Sequence, residues 1–125
     1  MGWRGKHTLL INKDIGSWSF LGEIYTDLDL PIDAAEVEHC GTCSRWMEVW
    51  PTGAIIAPYE LDAHKWISYL TIEHKGSIQK EFRKLIGNRI YGGDDCQLVC
   101  PWNKYASLTT IDDFNARDPL DGETL

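Results

Sequence analysis

The chain has 125 residues, 43% of them hydrophobic and 11% aromatic, enough for one modest packed domain or a piece of a larger one. Nineteen acidic against twelve basic side chains leave a formal charge of −7, with the positives scattered, which excludes a self-sufficient polyanion-binding module. No apolar run approaches the ~20 residues of a bilayer span, and the opening MGWRGKHTLLINK lacks the apolar stretch of an export signal, so a cytoplasmic location is expected.

In chain order, the pattern predicts strand-like pieces at His7–Asn12 and Phe20–Tyr25, joined by a turn at Gly16-Ser17 and closed by an acidic connector holding Pro31. From Cys40 the texture changes to cysteines, tryptophans and a Pro51-Thr52-Gly53 turn ahead of the short apolar run Ala54–Ala57. Asp62 is placed to cap a helix carrying Trp66, Ile67 and Leu70. Ser77 is placed to cap another, with Ile78, Phe82, Leu85 and Ile86 on one face and Gly87 as its stop. After Tyr91-Gly92-Gly93 a second cysteine motif ends in Pro101, and a polar tail follows from Thr109. Trp18 and Trp102 read as packing residues.

All four cysteines fall in two motifs, Cys40-Gly-Thr-Cys43 and Cys96-Gln-Leu-Val-Cys100-Pro101. A Cys-x-x-Cys loop brings two thiolates to one metal, and a Cys-x-x-x-Cys-Pro ending is the tail of the bacterial ferredoxin run. Four cysteines in two short-spaced pairs also satisfy zinc arithmetic. Disulfides and buried free thiols are further readings of the same residues. His39, next to Cys40, and His64 are possible metal ligands or ordinary exposed histidines. Asp94-Asp95 reads as a solvated turn or a cation site.

The segments GWRGKHTLLIN (2–12), CGTCSRWMEVWPTGAI (40–55), ISYLTIEHKGSI (67–78) and IGNRIYGGDDCQLVCPWNKY (86–105) resemble consecutive blocks of epoxyqueuosine reductase. That family uses cobalamin and iron–sulfur clusters to reduce epoxyqueuosine to queuosine in tRNA. The resemblance implies an α+β architecture, a ferredoxin-like iron–sulfur domain beside an edge piece of an α/β cobalamin-type domain. It divides the chain into a cobalamin-side segment, 1–34, a 4Fe–4S domain, 35–108, and a polar tail, 109–125.

Carried over residue by residue, the resemblance puts the first cluster on Cys40, Cys43, position 46 and Cys100. The second falls on positions 50, 66, 93 and Cys96. Four of these eight positions are Trp46, Trp50, Trp66 and Gly93, and an indole cannot ligate iron as a thiolate does. At most one cluster is therefore expected, with a water, a small thiol or an open position on its fourth iron. A decayed copy, a recoded stop codon or deliberate removal of ligands would each explain the pattern.

Lys6, His7 and Ser68 are the residues that the resemblance places toward the cobalamin, with Tyr69 and Thr71 beside Ser68. No catalytic residue is assigned. In the family the proton-donating acid and most of the cobalamin pocket precede the block that starts this chain, and the helical repeats that grip tRNA follow its end. The chain thus reads as an internal fragment, an electron-transfer portion inactive alone, with tRNA binding weak or absent and the electron donor unnamed. A small structural or interaction module holding zinc on Cys40, Cys43, Cys96 and Cys100 is the alternative.

Overall fold

The computed structural model describes residues 1–115. Short helices and two small antiparallel sheets make an α+β fold. Strand β1 (Trp3–Arg4) pairs with β2 (Leu10–Ile11), Trp3 opposite Ile11. The loop between them is closed by Gly5 N–H donating to Leu9 O and Thr8 N–H donating to Gly5 O, each at 2.8 Å. Gly5 is required there, because a Cβ would stand 2.6 Å from Ile11 Cδ1 and 2.9 Å from His7 Cε1.

Helix α1 (Arg45–Glu48) presents Trp46 to the interior. The expected turn follows, with Gly53 N–H donating to Trp50 O at 3.0 Å and Gly53 at φ +60. It leads into a hairpin of β3 (Ile55–Ala57) and β4 (Glu60–Leu61) whose register shifts at its tip. Tyr59 N–H, at that tip, donates to Lys6 O at 2.8 Å, tying this hairpin to the first.

Asp62 does cap, its carboxylate accepting from His64 N–H at 3.1 Å, but the helix it starts is a single 3-10 turn, Ala63–Lys65. At Trp66 the backbone leaves the helical region, ψ 125. It recoils from Ile67 into a π-helical stretch, Tyr69–Glu73. The predicted continuous helix is broken because Trp66 turns its ring flat onto Trp50, with centroids 4.3 Å apart.

Helix α2 (Lys80–Ile86) starts from Gln79, not from Ser77, which lies in the irregular stretch after Gly76. It stops at Gly87 as expected, φ +61. Helix α3 (Asp95–Leu98) carries Cys96, and Pro101–Tyr105 form a 3-10 turn after it.

The core joins Trp46, Trp50, Ala54, Ile55, Ile67, Leu70, Ile86 and Cys96. The strand expected at Phe20–Tyr25 is not formed. Residues 18–39 run exposed without regular pairing, Phe20 and Ile24 among them, because no described strand offers hydrogen-bonding partners there. Trp18 is likewise exposed rather than packed, whereas Trp102 meets Trp3 edge-on at 5.0 Å. The tail from Thr109 includes a 3-10 turn at Asp112–Phe114, and its remainder from 116 lies outside the described residues. Among the described residues no helix is long and apolar enough to cross a membrane.

Candidate metal centre

The two cysteine motifs meet because α1 and α3 pack against one another. Between them lies a cavity of about 310 Å³ whose wall includes Cys40, Cys43, Cys96 and Cys100. The sulfurs are not equivalent. Cys40, Cys43 and Cys100 are half-buried, while Cys96 is 1% exposed and belongs to the apolar core.

Burial is the main force raising the Cys100 thiol above the ordinary cysteine range. The amides of Trp102 and Asn103 pull the other way, and charge on Cys40 and Cys43 pushes it up further. Charge on the first cysteine loop thus reaches the Cys100 sulfur. Cys96 is pushed up to about 12, chiefly by burial, with Asp94 and Asp95 adding to the effect against two backbone amides. In the metal-free chain it is a thiol at neutral pH. Among the described residues, no three His, Cys, Asp or Glu side chains close on a single point.

The positions without sulfur are filled by ring and backbone. Trp46 is 4% exposed and its indole N–H donates to Cys43 O at 3.0 Å, bracing the Cys40–Cys43 loop. Trp50, 3% exposed, stacks on Trp66 at an interplanar angle of 18°. On Trp50's edge a Cβ at Gly93 would stand 3.5 Å from Cη2. Trp50, Trp66, Gly93 and Cys96 thus share one packed neighbourhood. All four cysteines reach the cavity wall, three of them half-buried and Cys96 from the core side, while Trp50 and Trp66 stack beside Cys96.

His7 is 3% exposed and lines the cavity beside Lys6. Its Nδ1 accepts from Leu9 N–H at 3.2 Å, and burial lowers its pKa from the ordinary 6.5, so the ring is neutral at pH 7. The ring is buried in the turn that β2 closes by returning onto β1. Lys6 spends its ammonium on Gly41 O, clamping the first cysteine loop. Ser68 is half-buried, does not line this cavity, and faces the glycine loop, its Oγ 3.4 Å from where a Gly92 Cβ would be. Thr71 anchors that loop by accepting from Gly92 N–H at 2.8 Å.

His39 packs edge-on against Trp3 at 4.9 Å and reaches the cavity wall, and His64 is exposed. Asp95 is not a solvated turn residue. It takes a fork from Arg89, Nε to Oδ2 at 2.9 Å, and holds the start of α3 against the end of α2.

Residues 39–103 match the 4Fe–4S double cluster binding domain. The chain belongs to that family. It is 61% identical over 125 residues to the epoxyqueuosine reductase of Xanthomonas campestris pv. campestris, covering 100% of this chain and 35% of the relative. It is 56% identical over 120 residues to the Escherichia coli epoxyqueuosine reductase, covering 96% and 32%. Among solved structures, the Bacillus subtilis epoxyqueuosine reductase superimposes with a TM-score of 0.81 at 38% identity, over 86% of this chain and 28% of that one. Equal figures hold for an epoxyqueuosine reductase solved with a tRNA-Tyr epoxyqueuosine-modified stem loop. The chain therefore spans roughly a third of the length of the curated relatives it matches.

Proposed function

We propose that this chain is the iron–sulfur electron-transfer portion of an epoxyqueuosine reductase, holding a single 4Fe–4S cluster on Cys40, Cys43 and Cys100. The observation that carries this reading is the half-buried trio of sulfurs around one cavity, set against the stacked Trp50–Trp66 pair at the other site. A bound cluster supplies one-electron chemistry. The chain's own residues fix its place: Trp46 and Lys6 brace the first cysteine loop, and the amides of Trp102 and Asn103 direct partial positive charge at the Cys100 sulfur. The reaction served is the reduction of an epoxide on a tRNA base, and the electrons pass toward a cobalamin held mainly by other parts of the enzyme. An edge of the cobalamin-side domain in residues 1–34 belongs to this proposal, with half-buried Lys6 as its contact and Ser68, outside that segment, as a second.

The test is colour after anaerobic reconstitution. Cys40→Ser, Cys43→Ser and Cys100→Ser should each abolish the absorbance near 400 nm, an order-of-magnitude position for cubane charge transfer, while Cys96→Ser should keep most of it. Equal damage from all four substitutions would favour a four-sulfur site, and a colourless chain with tightly held zinc would favour the structural module.

A further inference from the structure

His7 Nε2 is buried and has no hydrogen-bond partner among the described residues. A buried polar group left unsatisfied costs ~1–3 kcal/mol, so such an atom at the wall of a cavity marks something that the cavity is built to hold. The ring's orientation narrows what that is. Its Nδ1 accepts from Leu9 N–H, and its Nδ1–Cε1 edge lies against Gly5, within 3.2 and 2.9 Å of that residue's would-be Cβ. An acceptor at Nδ1 fixes the neutral tautomer with its proton on Nε2. His7 lines the same cavity as Cys40, Cys43 and Cys100, and Nε2 is its one ring nitrogen without a partner among the described residues.

The loop is held from several sides. Lys6 bonds Gly41 O, Lys6 O accepts from Tyr59 N–H, and Gly5 and Leu9 close the turn. A protonated Nε2 cannot bind iron, but it can donate to sulfur.

We propose that His7 is a hydrogen-bond donor to the cluster, its Nε2–H directed at a sulfide or cysteine sulfur of the site formed by Cys40, Cys43 and Cys100, and that it sets the cluster's reduction potential. This rests on the single-cluster reading above. Donation to sulfur withdraws electron density from the cluster and favours its reduced state, so the bond raises the potential. The unpartnered N–H and the cluster satisfy each other, and a residue that the family resemblance turns toward cobalamin acts on the iron–sulfur side instead.

The experiment uses the anaerobically reconstituted chain, with iron and sulfide counted first. Redox titration followed by electron paramagnetic resonance then compares the native chain with His7→Leu, which removes the donor, and His7→Gln, which keeps an N–H. The potential should shift negative in His7→Leu and return part of the way in His7→Gln, at unchanged iron content. In the native chain, electron–nuclear double resonance should detect a proton, exchangeable in deuterated water, coupled to the reduced cluster. That second readout holds even if a variant fails to assemble. An unchanged potential in His7→Leu, no exchangeable coupled proton, or the strong nitrogen coupling of an iron-bound imidazole would each overturn the proposal. A native chain that takes up no iron would instead remove the single-cluster reading on which it stands.

Discussion

Replacing Trp50 probes the packing around the stacked Trp50–Trp66 pair. The side chain is 3% exposed, stacked on Trp66 at 4.3 Å, and closed on one edge by Gly93. Truncation to alanine removes an indole from a close-packed interior and should cost ~3–5 kcal/mol. Of that, ~0.5–1.5 kcal/mol belongs to the aromatic pair, measurable as the coupling in a Trp50→Ala, Trp66→Ala cycle. Trp50→Phe behaves differently. Trp50 Nε1 is buried without a partner among the described residues, and deleting an unsatisfied donor returns ~1–3 kcal/mol, offsetting most of the volume lost. Trp50→Phe should therefore fall within about 1 kcal/mol of the native chain. Urea titration of the metal-free protein measures all of these. An alanine variant as stable as the native chain, or a phenylalanine variant as damaged as the alanine one, would refute the claim that the indole fills this space.

His7 is held neutral below its ordinary pKa of 6.5, so the unfolded chain binds the extra proton first. The stability due to this burial is fully present above pH 6.5 and is lost as pH falls from there through the lowered folded value. The urea midpoint of the metal-free chain should drop over that window, and His7→Leu should flatten the drop. Binding of tRNA should be weak, with a dissociation constant of ~10⁻⁴ M or higher at physiological salt, because the chain carries a net −7. A submicromolar, anticodon-dependent complex in a filter or fluorescence assay would contradict this.

The features legible in the sequence were those written in local chemistry. The Asp62 cap, the Pro51-Thr52-Gly53 turn and the Gly87 stop depend on a few neighbouring residues, and the structure shows each of them. What was not legible depended on distant partners. The apolar residues of Phe20–Tyr25 read as a strand because hydrophobicity signals a surface to be covered, without saying by what, and no described strand pairs with them. The helix through Trp66 was interrupted by a contact with Trp50, sixteen positions away, that no local pattern encodes. Asp95 read as solvated because its partner, Arg89, lies on the far side of a turn.

The division of the site was only partly legible. The resemblance named eight ligand positions, and the residues showed four to be without sulfur. That Cys96 joins the core as a protonated thiol while Cys100 senses Cys40 and Cys43 required the fold. The burial of His7 was not legible in the sequence. Gly5 and the Leu9–Ile11 run that bury it were visible, but their meaning depends on the β1–β2 turn closing over the ring.

The most direct test of a single cluster with an indole-filled second site is the iron content of two reconstituted proteins, the native chain and the variant combining Trp46→Cys, Trp50→Cys, Trp66→Cys and Gly93→Cys. The native chain should hold about four irons, and the variant, with both thiolate sets complete and the indoles gone, about eight, with metal-dependent folding stability. About eight irons in the native chain, or no additional iron in a variant that folds equally well without metal, would contradict the account.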